Sequence, residues 1–214
     1  MPKSSKQWLR RHVTDPYVRK AREQGYRSRA AYKLLELDQR EKLFRPGAIV
    51  VDLGAAPGSW SQVAAQKVGP LGKVIAVDLF EIAPISGVTV LKGDFRDAKL
   101  IEALGGARAD VVLSDVAPNL SGVANVDQAR AAELAHAAID VCGKALKSDG
   151  VLVLKALHGE AFDEVLQRLK HEFGKVSVRK PGASRGESRE TYVVARNQRK
   201  MGRSLQPQKT GVSL

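Results

Sequence analysis

The chain has a single cysteine among its 214 residues, Cys142, which excludes an internal disulfide and any cysteine-rich metal site. It lies in the apolar run Ala137-Ala138-Ile139-Asp140-Val141-Cys142, a context that predicts a buried, inert thiol. The four histidines are scattered without ligand spacing, so no metal centre is expected. No apolar stretch approaches the roughly 20 residues that a spanning helix needs. Met1-Pro2-Lys3-Ser4-Ser5-Lys6 has no apolar run behind it to make a signal peptide. A cytoplasmic protein without a membrane partner is therefore expected. Internal repeats are absent. Acidic residues are scarce at both ends: residues 1–40 carry 11 basic and 4 acidic groups, and residues 179–214 carry 9 and 2. Residues 41–178 carry 15 basic and 17 acidic groups, so the formal charge of +12 resides entirely in the flanks. A near-neutral body with two basic ends is the footprint of a polyanion binder. Tails that only aid solubility are a weaker reading because both flanks interleave Arg with aromatics and helix formers. An anionic membrane surface is weaker because the N-terminal block lacks the wide apolar face of an interfacial helix.

What is present is enough apolar residue, 43%, to bury one core in one domain. Short apolar runs alternate with segments of 3.6-residue period, which predicts an α/β fold with a largely parallel sheet. The expected strands are Ala48–Leu53, Lys73–Val77, Val88–Leu91, Asp110–Ser114 and Val151–Lys155. Lys175–Val178 and Thr191–Ala195 are expected to pair as an antiparallel hairpin at the sheet edge, joined by an exposed loop over 180–190. Helices are expected over Gln128–Leu146 and Ala161–Phe173, and over Arg29–Lys42 with Ser28 as its cap. On that last helix Ala30, Leu34 and Leu37 form the apolar side, and Arg29, Lys33, Glu36 and Arg40 line the other. The chain is expected to divide into a basic N-terminal segment, 1–27, for binding nucleic acid, a domain over 28–197, and a disordered tail, 198–214.

The stretch Val50-Val51-Asp52-Leu53-Gly54-Ala55-Ala56-Pro57-Gly58-Ser59-Trp60 runs from a strand through a small-residue loop into a helix. Gly54 and Gly58 let the backbone approach a ligand over the strand end, where doubly wound sheets bind their ligands. A dinucleotide loop would read G-x-G-x-x-G, but the position two after Gly54 is Ala56, and Pro57 removes a donor. A ligand without a pyrophosphate fits better. Asp52 is then expected to meet a cationic amino group, which S-adenosyl-L-methionine carries. Asp78, ending the second strand, suits the two ribose hydroxyls of an adenosine, and Asp94, after the third, suits an adenine amino group.

The fourth strand runs into Asp115 and the fifth into Lys155, and a charge ending an apolar strand must be paired or functional. Three segments together resemble the FtsJ family: Asp52–Trp60, then Gly93-Asp94-Phe95-Arg96-Asp97, then Ser114-Asp115-Val116-Ala117-Pro118-Asn119-Leu120-Ser121-Gly122. The resemblance covers roughly residues 5–197. It implies a Rossmann-like class I methyltransferase fold: a seven-stranded, mostly parallel sheet with an antiparallel edge hairpin. It also implies cofactor contacts from Asp52, Gly54, Pro57, Gly58, Trp60, Asp78, Asp94 and Asp115. The family's Lys–Asp–Lys–Glu catalytic tetrad falls on Lys33, Asp115, Lys155 and Glu190. The reaction implied is 2′-O-methylation of a uridine ribose in the large-subunit ribosomal RNA, within the assembled subunit, by a monomer. A ribose hydroxyl is a poor nucleophile, so a base must take its proton as it attacks. Lys155 is expected to be that base, with Asp115 and Glu190 positioning it and Lys33 shaping the field. The loop departs from many relatives in reading Gly58-Ser59-Trp60 rather than Gly-Gly-Trp, and Ser59 is expected to cap the helix.

Two basic sets are expected to flank an RNA groove and contact phosphates. The first is Arg10, Arg11, Arg19, Lys20, Arg22, Arg27 and Arg29, with Trp8, Tyr17 and Tyr26 among them; the second is Arg179, Lys180, Arg185, Arg189 and Arg196. Methylation of an RNA cap or a transfer-RNA ribose by the same chemistry stays open, as does a non-catalytic RNA-binding module. Base-amine methylation would favour Asp/Asn-Pro-Pro-aromatic at the fourth strand, where this chain reads Asp115-Val116-Ala117-Pro118.

Overall fold

The structure, a computed structural model, describes residues 15–119, 121–184 and 188–199. Trp8, Arg10, Arg11, Leu120, Arg185 and the tail beyond Arg199 lie outside these. All seven expected strands are present: β1 (Ile49–Leu53), β2 (Lys73–Asp78), β3 (Val88–Lys92), β4 (Ala109–Ser114), β5 (Leu146–Leu157), β6 (Phe173–Arg179) and β7 (Glu190–Gln198). Six helices accompany them among the described residues: α1 (Pro16–Glu23), α2 (Ala30–Glu41), α3 (Ser59–Val68), α4 (Ala98–Leu104), α5 (Ala124–Ala145) and α6 (Glu160–Glu172). The expected tail begins one residue inside β7. Helix α1 starts at Pro16, with the Asp15 carboxylate accepting from the Tyr17 amide at 3.0 Å, a cap that charge counting passes over.

The seven strands form one sheet in the order β3-β2-β1-β4-β5-β7-β6. Neighbours from β3 to β5 are parallel, and β7 enters antiparallel between β5 and β6. The strand order reverses between β1 and β4, which opens a crevice above their carboxyl ends.

Period-two alternation sends side chains to two cores. Val51, Leu53, Ile75, Val77, Val112, Leu152 and Leu154 pack under α4, α5 and α6, where Cys142 is fully buried and burial pushes its thiol above the ordinary value. Val50, Val74, Val111, Leu113, Val151, Val153 and Tyr192 pack on the other face under α2 and α3. No helix of the described residues is long and apolar enough to cross a membrane.

Asp110, at the start of β4, ties the sheet together at the edge away from the crevice. It accepts from the Ile49 amide at 2.8 Å and pairs with Lys147 at 2.8 Å and Arg45 at 2.7 Å. Burial works to raise this carboxyl, but the amide and the two cations hold it at about 2. A folded value below the unfolded one means the stabilisation is complete above about pH 5 and is lost as pH falls toward 2. Asp110→Asn should therefore cost up to about 2 kcal/mol at pH 6, less the salt screening at exposed Arg45, and almost nothing near pH 2. Urea unfolding of both proteins across that range checks this; a loss independent of pH would refute it.

Candidate active site

The crevice is built from the loops that leave β1, β2, β3 and β4. Gly54 has φ +69°, and a Cβ placed there would lie 2.7 Å from that of Val116, so no side chain fits between the first and fourth loops. The Ala56–Pro57 peptide is cis, and the Asp78 carboxylate accepts from the Ala56 amide at 2.8 Å and the Phe80 amide at 2.8 Å. Between these loops lies a cavity of about 410 Å³. Gly54, Ala56, Asp78, Asp94 and Asp115 line it, together with Leu79, Phe80, Arg96, Pro118 and Asn119.

Beyond Asp115 the four expected catalytic residues converge. Lys155, its side chain 9% exposed, donates to the Asp115 carbonyl at 2.8 Å and to its carboxylate at 3.1 Å. Lys33 of α2 donates to Glu190 at 2.8 Å, and the other Glu190 oxygen lies 4.0 Å from the Lys155 amine. Burial works to raise the Glu190 carboxyl, but Lys33, by charge and hydrogen bond, and Lys155, by charge, bring it below the ordinary range. The antiparallel register creates this meeting. Lys155 pairs with Tyr192 and Leu157 with Glu190, so the first residues of β7 stand beside the last of β5.

That register also delivers Tyr192, which the sequence singled out only as part of a β-rich run. Its hydroxyl donates to the Asp115 carboxylate at 2.8 Å, and burial, first, then Asp115 and Glu190 push its phenol well above the ordinary value. Its ring lies 5.6 Å from that of Trp60 and 5.7 Å from the Lys33 amine. Arg96 is the other addition. It lines the cavity and holds both oxygens of Asp94, lowering that carboxyl, so any ligand amino group must share the acceptor with a guanidinium.

Several expected ligand contacts stand behind the wall instead. Asp52 is 1% exposed and accepts from the Ser61 hydroxyl at 2.6 Å, so in this geometry it does not reach a ligand amino group. It lies on the same side of β1 as Val50, facing α3. Trp60 is buried with its indole N–H on the Ala30 carbonyl at 2.8 Å, and Gly58 faces Ile82, Ile85 and Arg27. Pro57 gives its carbonyl to Arg27 at 2.9 Å. These four shape the loop from behind. Ser59 is the first helical residue, not the cap; its hydroxyl shares a hydrogen bond of 2.8 Å with that of Ser28, which accepts from the Ala30 amide at 3.2 Å.

The basic flanks also divide. Arg27 donates to the carbonyls of Pro57, Ala83 and Pro84, and Arg29 to Asp15 and the Ala183 carbonyl. Arg179 pairs with Glu41 at 2.6 Å, and Arg196 donates to the Glu41 carbonyl at 2.5 Å. The protein's own carbonyls and carboxylates thus engage four arginines that the sequence expects on phosphates. Tyr17 and Tyr26 pack against Tyr32 with ring centres 5.4 and 5.8 Å away. Arg19, Lys20, Arg22, Lys180 and Arg189 stay exposed.

The placement of Asp52 has a measurable consequence. Burial, opposed by the Ser61 hydrogen bond and assisted by the charges of Asp115 and Asp78, raises its carboxyl to about 7. A folded value above the unfolded one makes the native state lose stability as pH rises from about 4 to 7. Asp52→Asn should remove that loss, gaining on the wild type by up to roughly 4 kcal/mol between pH 4 and pH 8. Thermal or urea unfolding at both pH values tests this; an equal difference at the two would contradict it.

Comparisons with known proteins identify the family and the fold. A family model described as FtsJ-like methyltransferase matches residues 26–198. The ribosomal RNA large subunit methyltransferase E of Marinobacter nauticus is 49% identical over 198 residues, 91% of this chain and 96% of its own length. That of Hahella chejuensis is 48% identical over the same shares. A Plasmodium falciparum structure described as a ribosomal RNA methyltransferase superposes with a TM-score of 0.72 at 30% identity, covering 81% of this chain and 98% of that one. Fibrillarin of Aeropyrum pernix, solved with S-adenosyl-L-methionine, shares the fold at 17% identity and a TM-score of 0.54, over 78% of this chain and 73% of its own. The chain belongs to the FtsJ-like methyltransferase family.

Proposed function

We propose that this methyltransferase transfers a methyl group from S-adenosyl-L-methionine to a ribose 2′-hydroxyl of large-subunit ribosomal RNA, on a uridine within the assembled subunit. The observation that carries the reading is the Lys155 amine held on Asp115 beside the cavity, with the Lys33–Glu190 pair next to it.

The cavity suits the cofactor. Leu79 and Phe80 line it while 65% and 67% exposed, leaving apolar surface for a nucleoside base. The Asp78 carboxylate accepts one amide on each oxygen and keeps lone pairs for ribose hydroxyls. Asp94 shares the wall, and Asp115 offers negative charge to a sulfonium. The cofactor supplies a methyl group made electrophilic by that sulfonium.

The chain's own residues handle the nucleophile. To act as base, Lys155 must first release its third ammonium proton to solvent, and the neutral amine then has two hydrogens and one lone pair. The carbonyl and carboxylate of Asp115 accept the two hydrogens of Lys155, which leaves the lone pair for the proton of the ribose hydroxyl. Tyr192 fixes the Asp115 carboxylate and so the direction of that lone pair. Glu190 stays ionised, anchors Lys33, and lies close enough to stabilise Lys155 once it has taken the proton. Displacement at a methyl carbon needs oxygen, carbon and sulfur in line, so much of the rate comes from this positioning.

Exposed Arg19, Lys20, Arg22, Lys180 and Arg189 are the phosphate contacts this reading retains from the described residues, joined by Arg10, Arg11 and Arg185 outside them. The protein acts as a monomer. Incubating it with labelled cofactor and unmodified large subunits should mark the ribose of one uridine, and RNA binding should weaken steeply with salt. Label on a base, or equal binding at low and high salt, would overturn the proposal.

A further inference from the structure

Glu36 lies three residues beyond Lys33 on the same face of α2 and has no part in the chemistry above. A carboxylate within a basic flank repels phosphates, so its presence there calls for another reason. Its oxygens accept from two successive backbone amides, Gly182 at 2.5 Å and Ala183 at 3.0 Å, and from the Tyr17 hydroxyl at 3.4 Å. Adjacent N–H groups aimed at one carboxylate form an anion nest. The turn that carries them, closed by the Ser184 amide on the Pro181 carbonyl at 3.0 Å, follows directly on β6. The last residue of β6, Arg179, pairs with Tyr192. Arg29 reaches the Ala183 carbonyl from the start of α2, and Glu41 holds Arg179 from its end. Ala183 itself is fully buried against Ala21 and Tyr32. Besides the Lys33–Glu190 pair, helix α2 is thus pinned to the β6–β7 hairpin at three levels, and Glu36 is the middle one.

We propose that Glu36 is a positioning residue for methyl transfer: by binding the Gly182 and Ala183 amides it sets how α2 lies on the hairpin, and hence where the Lys33 amine meets Glu190. The proposal rests on the roles assigned above to Lys33 and Glu190. It gives an acidic side chain on an RNA-facing flank a mechanical task in the chemistry, with no contact to either substrate.

The test is a double-variant cycle read by single-turnover methylation at saturating RNA and cofactor. Glu36→Ala should slow the reaction about tenfold in the wild-type background. In the Glu190→Ala background the same change should cost less than about twofold, because the group it positions has gone. Cofactor affinity should stay within about twofold in all four proteins, which also reports on folding. Glu36→Gln keeps one acceptor oxygen for one of the two amides, and should recover part of the lost rate. Should Glu36→Ala fail to bind cofactor, Glu36→Gln carries the same comparison in both backgrounds. Losses that multiply in the double variant, or an unchanged rate in Glu36→Ala, would overturn the proposal and leave the tetrad standing. A wild-type rate in Glu190→Ala alone would remove both.

Discussion

An amine buried to 9% exposure at the tip of β5 must be satisfied by its neighbours, and the carboxyl edge of the sheet is organised around meeting that demand. Lys155 finds the carbonyl and carboxylate of Asp115 on β4's exit, with Glu190 4.0 Å away. Asp115 in turn is fixed by the Tyr192 hydroxyl, and Glu190 by Lys33. Each charge in the group has an opposite charge or a donor beside it. Removing one partner from such a network leaves another exposed to the full cost of burial, so its geometry is held tightly. The same tightness suits a reaction whose rate comes mostly from alignment.

The antiparallel strand is what makes the network possible in a parallel sheet. A parallel β7 would bring its last residues to the crevice. Reversed, it brings its first, and the pairing of Lys155 with Tyr192 and Leu157 with Glu190 follows from register alone. Tyr192 then serves both sides. Its hydroxyl orients Asp115, and its ring packs near Trp60, whose helix leaves the loop after β1. Trp60 also holds the Ala30 carbonyl at the start of the helix that carries Lys33. The loop, the α2 lysine and the Asp115–Lys155 pair are therefore joined through one aromatic contact.

The strands and their tips were legible because apolar runs broken by Gly, Pro and Asp carry strong local signals, and Asp78, Asp94, Asp115 and Lys155 all end such runs. What a strand tip does not reveal is direction. A strand-end Asp52 suggests a ligand contact, although its even spacing from Val50 puts it on the α3 side of β1. Tyr192 was unreadable as a site residue because its partner depends on a register set across the sheet. Charge counts found the basic flanks but not the carbonyls and carboxylates that occupy Arg27, Arg29, Arg179 and Arg196. Arg29, Lys33 and Glu36 of the polar stripe of α2, which spacing alone would leave in solvent, form the seam along which the helix meets the β6–β7 hairpin, while Arg40 stays exposed.

The central claim is that Lys155 takes the ribose proton, and one rate measures it. Lys155→Ala, saturated with cofactor and RNA, should transfer methyl in a single turnover at least about a hundredfold more slowly than the wild type while binding both with unchanged affinity. A variant that binds both and transfers at a near-normal rate would contradict the account.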